Sequence, residues 1–303
     1  MDVSVVIVSY NGRDLLRRCL SSLYQHTRNQ QFEVIVIDNA SLDGTPEMVE
    51  AEFGQVRLVR RETNGGYARA VNQGFALAQG DVVLVLNPDA ELTADILTPM
   101  RSYLLAHPDI GILAPKLTND DGSLQLSCRA FPGFSAALFN RYSLLTRLFP
   151  SNRFSTRYLM STFDHSTIAD VDWVSGACWL LPRTVHEEIG PLDERYFWSI
   201  EDVDFCQRVH RAGKRVVYYP EVSLLHHIGG SSATLPNRSI AERHRGMWRY
   251  YRQYLRPRTA IARVAVDGLA GGGIFARMIA QLTAENVRRF LEAWRHGKPT
   301  AQS

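Results

Sequence analysis

Apolar residues fall in short runs through the first third of the chain, and polar, helix-patterned stretches separate them. Val3–Val8, Phe32–Ile37, Val56–Val59 and Val82–Leu86 read as strands. Between them, Asp14–His26 carries Leu16, Leu20 and Tyr24 on one stripe, with Leu15, Cys19 and Leu23 beside it, which is a helical period. Thr45 caps a second helix with Pro46 at its first position. A third helix spans about Tyr67 to Gln79 and a fourth about Ala94 to Ala106. Strand and helix alternate, so the pattern predicts an α/β fold with a mostly parallel sheet between helical layers.

The remainder is less regular. Pro132 to Asp170 is rich in aromatics, Arg and Ser, and reads as a long loop with short helices. Trp173–Leu181 reads as one strand, Ser199 to about Gly213 as a helix, and Val216–Tyr219 and Val222–Leu225 as two short strands. From Ile240 onward the chain is helical and basic, with Gly271-Gly272-Gly273 interrupting it. The expected division is a catalytic-type domain over 1–238, with halves of about 1–115 and 116–238, and a helical extension over 239–303.

The first chemistry appears where Val82–Leu86 ends, at Asn87-Pro88-Asp89. Open α/β sheets bind ligands at the carboxyl ends of their strands. Two oxygen-bearing side chains flanking a stiff proline suit a hard divalent cation that also holds a substrate phosphate. The same tripeptide also opens a loop, with Thr93 capping the following helix.

Composition narrows the class. Of 303 residues, 45% are hydrophobic and 21% charged, as in a globular protein. Residue 2 already borders a strand, which leaves no room for a signal peptide. No run of about 18 uncharged apolar residues predicts a membrane span. Cys19, Cys128, Cys178 and Cys206 lack metal-type spacing and read as buried thiols in a reducing cytosol. The net charge of +3 is uneven: from Ser239 to the end there are 12 Arg and Lys against 4 Asp and Glu. The tail interleaves cations with Trp248, Tyr250, Tyr251 and Tyr254, which suits an anionic membrane surface. A solvated helix packed on the body would share that pattern; nucleic acid would also fit the charge, but the catalytic-type body argues against it.

Several motifs together resemble a known family. Val8-Ser9-Tyr10-Asn11, Val36-Ile37-Asp38-Asn39-Ala40-Ser41, Asp43-Gly44-Thr45, Asn64-Gly65-Gly66-Tyr67-Ala68 with Asn72, Leu86-Asn87-Pro88-Asp89, Gly176, Glu201-Asp202-Val203-Asp204, and His226 with Gly229-Gly230-Ser231 occur in order. In this arrangement the chain resembles family 2 inverting glycosyltransferases, most closely their rhamnosyltransferase-like branch. The resemblance implies the GT-A fold, a Rossmann-like, mostly parallel mixed sheet flanked by helices.

The resemblance also implies roles. Ser9, Tyr10 and Asn11 would meet a nucleotide base, and Asp38 would accept a hydrogen bond from the base imide or the ribose. Asn64, Gly66 and Asn72 belong to the nucleotide-sugar site, with the exposed Gly65-Gly66 backbone suited to a phosphate. Arg69 reaches either the diphosphate or solvent. Asn87 stands where the family usually has Asp, so Asp89 becomes the main carboxylate ligand for Mg²⁺ or Mn²⁺, and spacing favours His226 over His227 as a further ligand. Asp202 is implied as the general base and Glu201 as an acceptor-positioning acid. The competing reading of Ser199-x-x-Asp202 is a capping box. Gly176 lies on the acceptor side, and Trp173, Phe197 and Trp198 either stack on a sugar or fill core.

The expected donor is a dTDP- or UDP-linked sugar, rhamnose first, and the expected acceptor a glycan or a polyprenyl-diphosphate-linked glycan. The expected location is cytoplasmic, peripheral at the inner face of the cell membrane. A nucleotidyltransferase would need a Gly-rich basic loop early in the chain, and Ser9-Tyr10-Asn11-Gly12 does not supply one. A non-catalytic sugar-binding relative would lack Asp89 or Asp202, and both are present.

Overall fold

Val82–Leu86 (β4) is buried at every position, as an apolar run with no alternation requires of a strand covered on both faces. It lies beside Val3–Ser9 (β1), which pairs in parallel with both β4 and Phe32–Asp38 (β2). The computed structural model describes residues 1–133, 156, 158, 160, 162–227 and 236–296. They form two compact units, Met1–Thr234 and Leu235–Ser303.

In the first unit the sheet runs β3-β2-β1-β4-β11-β6-β12-β5. Here β3 is Arg57–Arg60, β5 Ala90–Leu92, β6 Ile110–Thr118, β11 Cys178–Pro182 and β12 Arg215–His226. Only β11 and β5 run against their neighbours along this path, so the sheet is mixed and mostly parallel. Leu124–Gln125 (β7) pairs with β6, and Ala169–Asp170 (β9) with β12. A separate ribbon joins Cys128–Arg129 (β8) to Trp173–Val174 (β10). The helices are α1 (Arg13–His26), α2 (Thr45–Glu52), α3 (Tyr67–Leu77), α4 (Leu97–Ala106), α5 (Arg183–Ile189) and α6 (Glu201–Arg211). This is the expected α/β architecture.

The core follows the sequence periods. Leu16, Cys19, Leu20 and Leu23 of α1 are fully buried in one cluster with Val5, Ile7 and Leu84. Each such aliphatic side chain contributes roughly 1.5–3 kcal/mol on burial. Ser4 interrupts β1 but is satisfied: its Oγ donates to Glu33 at 2.5 Å and accepts from the N–H groups of Gln79 and Gly80. All four cysteines are buried free thiols.

β1 to β3 build outward in one direction, and the chain then returns to place β4 on the other side of β1. That reversal leaves a crevice beyond the carboxyl ends of β1, β2 and β4, where open sheets take their ligands.

Several expected boundaries are corrected. Trp173–Leu181 is two strands in different sheets, because Ser175 turns to donate its N–H to the Ser127 carbonyl. The two strands expected over 216–225 are one, β12, with its register shifting between Tyr219 and Ser223, around Pro220. α6 starts at Glu201, since Ser199 and Ile200 have φ of 68° and 76°, outside the helical region. α4 starts at Leu97, with Asp95 rather than Thr93 accepting a first-turn N–H. α2 begins at Thr45 itself, and Asp43 accepts from its N–H and hydroxyl. Most of the loop expected over 132–170, and Gly229-Gly230-Ser231, lie outside the described residues.

The second unit is a helical pair. Pro236–Tyr250 (α7) continues through one π-helical turn, Tyr251–Leu255, and is followed by Ala260–His296 (α8). Gly271–Gly273 does not interrupt α8. A Cβ at Gly271 would sit 3.4 Å from the Trp248 ring, so glycine there lets the two helices approach. Tyr250 and Tyr251, expected at the surface, are buried. Tyr251 donates its hydroxyl to Asp267, and Arg256 pairs with the same carboxylate.

Candidate active site

The ends of β1 and β2 place Ser9 opposite Asp38. Asp38 Oδ2 accepts the Ser41 N–H at 2.9 Å, whereas Asp38 Oδ1 and Ser9 Oγ are buried without a hydrogen bond. Buried polar atoms without a partner are costly and mark places where a ligand completes the bonding. Burial pushes the Asp38 carboxyl up, against the lowering effect of the Ser41 bonds. Asn11 (φ 50°) braces the facing loop: its N–H donates to Ser41 Oγ and its Oδ1 accepts from Leu42 N–H. Tyr10, beside it, is partly exposed.

Asn64 Oδ1 accepts from Asn39 Nδ2 and from Gly66 N–H, which holds the turn into α3. Arg69 and Asn72 reach across to the segment that precedes α6. Arg69 pairs with Glu194 at 2.8 Å on an exposed face, and the Asn72 side chain bonds both backbone groups of Leu192. Together they tie α3 to the segment leading toward α6.

Arg61 was not anticipated. Its N–H donates to the Asp38 carbonyl, and its Nη1 is buried without a hydrogen bond. Burial, then the charge of Arg69, pulls its pKa down. The available signal was a cation one residue past the end of a strand.

The loop after β4 is fixed by backbone bonds, with Asn87 N–H donating to the Ala177 carbonyl. Asp89 is 5% exposed, and its Oδ1 lies 3.3 Å from His226 Nε2. His226 Nδ1 lies 2.6 Å from Gln125 Oε1. Gln125 Nε2 donates to Asn119 Oδ1 and to the His226 carbonyl, so its oxygen faces the ring. The Nδ1 atom donates to Gln125, which leaves Nε2 facing Asp89. Aspartate oxygen and imidazole nitrogen are both usual ligands of a divalent cation. His227 instead lies between Glu91, at 3.2 Å, and Asp120. Among the described residues no group of three or more His, Cys, Asp or Glu is disposed to hold a metal ion by itself. Asp89, His226 and Asn87 would therefore leave positions for substrate phosphate oxygens or water, as Mg²⁺ and Mn²⁺ sites commonly do.

Ile200, a β-branched residue at φ 76°, is strained, as is Ser199 before it. The turn delivers Glu201 and Asp202 at the start of α6. Asp202 Oδ2 accepts the Gly176 N–H at 3.3 Å, and its Oδ1 accepts the Val203 N–H at 2.8 Å. Ser199 makes no side-chain cap. Glu201 is buried with Oε2 lacking a hydrogen bond. Burial, then the neighbouring Asp202 charge, raises the Glu201 carboxyl well above the carboxylate range. Asp202 is also raised by burial, less so because Val203, Gly176 and Arg129 favour its charged form.

Arg129, also unanticipated, lies opposite Trp173 in the β8–β10 ribbon, with its Cζ 5.3 Å from that ring and its Nε buried without a hydrogen bond. Trp173 is itself buried and donates its indole N–H to the Ala130 carbonyl. Its ring is therefore packed and covered by Arg129, not open for stacking. Trp198 is only partly buried.

Tyr67 joins the two sides. Its hydroxyl lies 3.3 Å from both Asn87 Oδ1 and the Gly176 carbonyl. Burial, followed by the charges of Glu201, Asp202 and Asp89, pushes its pKa up, which places the ring among all three acids. Its N–H donates to the Phe197 carbonyl at 2.8 Å. Gly66, at φ 93°, permits that contact, since a Cβ there would lie 2.6 Å from the same oxygen. Gly66→Ala is expected to cost about 1–3 kcal/mol and to shift the Phe197–Asp202 segment. Thermal unfolding and turnover should both fall. Unchanged values in both would show that the contact has no role.

The Glycosyl transferase family 2 model matches residues 4–190. An N-acetylglucosaminyl-diphospho-decaprenol L-rhamnosyltransferase of Mycobacterium tuberculosis is 32% identical over 267 residues, covering 81% of this chain and 86% of that protein. A low-salt glycan biosynthesis hexosyltransferase of Haloferax volcanii is 24% identical over 74% of this chain and 67% of its own length. Among solved structures, a mannosyltransferase of Pyrobaculum calidifontis in complex with GDP-Man and Mn²⁺ superposes with a TM-score of 0.57 at 19% identity, covering 98% of this chain and 76% of that one.

Proposed function

The chain belongs to glycosyl transferase family 2, and on that premise we propose that it transfers a sugar with inversion to a diphospho-polyprenyl-linked glycan during cell-surface polysaccharide synthesis. The donor is a nucleotide-diphosphate sugar, dTDP-rhamnose in the first instance. Support for sugar and acceptor comes from the rhamnosyltransferase relative, which covers most of both chains. The observation that carries the mechanism is the convergence of Asp89 with His226, Tyr67, and Glu201 with Asp202 beyond the ends of the parallel strands.

The nucleoside occupies the ends of β1 and β2, where Asp38 Oδ1 and Ser9 Oγ take up its polar edges. Asp89 and His226, with Asn87, would hold a divalent cation. When bound, it would neutralise charge developing on the departing diphosphate.

On the other side, Asp202 accepts the proton of an acceptor hydroxyl as that oxygen attacks the anomeric carbon. The bond from that carbon to the diphosphate oxygen breaks in the same step, and its electron pair leaves with the phosphate. A single displacement of this kind inverts the anomeric centre, and its transition state is oxocarbenium-like. Gly176 N–H and the Val203 N–H keep the Asp202 carboxylate aimed and favour its charged form against the effect of burial. Glu201, its carboxyl pushed up by burial, hydrogen-bonds the acceptor. Arg129 offsets the acid pair and limits how far the Asp202 carboxyl is raised.

No helix among the described residues is long and apolar enough to cross a membrane. In this proposal the enzyme works as a peripheral protein at the inner membrane face, where its lipid-linked acceptor is presented, and the basic second unit supports that placement.

The test is a panel of dTDP-, UDP- and GDP-sugars, first for thermal protection and then for transfer to N-acetylglucosaminyl-diphospho-lipid. A donor at about 100 times its dissociation constant should add roughly 2.7 kcal/mol of stability. One nucleotide class should protect, and its sugar should appear on the acceptor with inverted configuration. No protection by any nucleotide sugar, or transfer with retention, would refute the reading.

A further inference from the structure

Most of the exposed large hydrophobic side chains among the described residues lie on α8. Ile261, Val264, Leu269, Phe275, Phe290 and Leu291 are all exposed, Ile261 by 89% and Phe290 by 69%. At about 100° per residue these positions share one half of the helix circumference. The opposite half meets α7 and the turn that follows it: Asp267 accepts from Tyr251, Gly271 faces Trp248, and Gln281 accepts from Arg243. The outward half is thus a continuous apolar strip on a helix of 37 residues, roughly 55 Å long. Exposed surfaces of that size mark interaction sites.

Charge identifies the occupant. The segment from Ser239 onward holds 12 Arg and Lys against 4 Asp and Glu. A second copy of this chain would bring the same net positive charge and be repelled. An anionic bilayer would be attracted by it while burying the strip. The helix is too polar to cross a membrane, and it combines an apolar face with a basic polar one, as interfacial helices do.

We propose that the outward face of α8 lies in the plane of an anionic lipid surface, with Ile261, Val264, Leu269, Phe275, Phe290 and Leu291 inserted below the headgroups. This differs from the expectation drawn from sequence, which gave the surface to the aromatics of α7. Those side chains hold the helical pair together, and the lipid-facing residues are aliphatic and phenylalanine side chains further along. The inference rests on the proposed lipid-linked acceptor only for its purpose; the surface is argued from α8 alone.

The experiment is co-sedimentation of the full chain with phosphatidylcholine vesicles containing about 30% phosphatidylglycerol, an anionic lipid. The wild type should bind, and binding should fall as salt rises from about 0.1 to 1 M, which shortens the screening length from roughly 10 to 3 Å. The double variant Phe275→Glu with Phe290→Glu changes only exposed positions and should lose at least about tenfold in vesicle partitioning. Leu105→Glu, at an exposed apolar position of α4, should bind as the wild type does.

Absence of vesicle binding at low salt, or equal binding by the double variant, would overturn the proposal. So would a wild-type dimer that the double variant dissolves without any change in lipid binding, since the occupant would then be a second copy. Transfer to a short, water-soluble diphospho-linked acceptor is read in parallel. The double variant should retain it. If no variant transfers sugar but the lipid result holds, the enzymatic reading fails and the surface stands.

Discussion

Replacing Asp202 by asparagine is expected to lower turnover by at least about 10²-fold, the usual contribution of a general base, with donor binding retained. Asparagine keeps an oxygen for the Val203 N–H, so the start of α6 survives, but it cannot take a proton. The pH profile adds a second readout. Burial raises the Asp202 carboxyl, and the base works only when ionised. Wild-type turnover should therefore climb with pH through an inflection above the ordinary aspartate value of about 3.9, and the variant should lack that limb. Stability should move the other way. A carboxyl whose pKa is higher in the folded chain than in the unfolded one favours folding while protonated, and that contribution is lost as pH rises through the folded value. Asparagine carries no such loss, so near neutral pH the variant should be at least as stable as the wild type. Lower stability with unchanged turnover would make Asp202 a helix cap and nothing more.

Asp89→Ala is expected to remove cation-dependent transfer. A bound divalent ion supplies several kcal/mol of charge stabilisation to a departing diphosphate, so the loss should reach about 10²-fold or more. Chelation of the wild type should have a similar effect, and adding back Mn²⁺ or Mg²⁺ should rescue the wild type alone. Asn87→Asp should tighten cation binding, because it adds a charged oxygen beside Asp89. His226→Ala should weaken it, whereas His227→Ala should not, since His227 is engaged by Glu91 and Asp120. Activity that survives both chelation and Asp89→Ala would make the Asp89–His226 pair structural.

The signals that sequence carries well are those with a short period. β1, β2, β4, α1 and the ends of β1, β2 and β4 are legible because apolar runs and helical stripes are local properties, and the crevice follows from the order of parallel strands. Motif spacing likewise places Asp38, Asp89 and Asp202 at element ends. Where a glycine or proline has a tertiary partner, local reading goes astray. Gly271–Gly273 looks like a helix break and is a contact for Trp248. Pro220 looks like a strand end and lies within one strand whose register shifts there.

What the sequence by itself determined is the layering of the first unit, its ligand-binding edge and the identity of the acids placed along it. Strand order, helical stripes and capping chemistry act over a few residues, so their physics is written in the order of the side chains. Only the tertiary structure decided which of those residues meet. It brought Tyr67 between Asn87 and Gly176, 109 positions apart in the latter pair, and set His226 rather than His227 against Asp89. It paired Arg69 with Glu194, buried one guanidinium nitrogen each of Arg61 and Arg129 without a hydrogen bond, and put the exposed apolar face of the second unit on α8. Each of these depends on contacts between segments far apart in the chain, where a side chain's role is set by what packs against it and not by its neighbours in sequence.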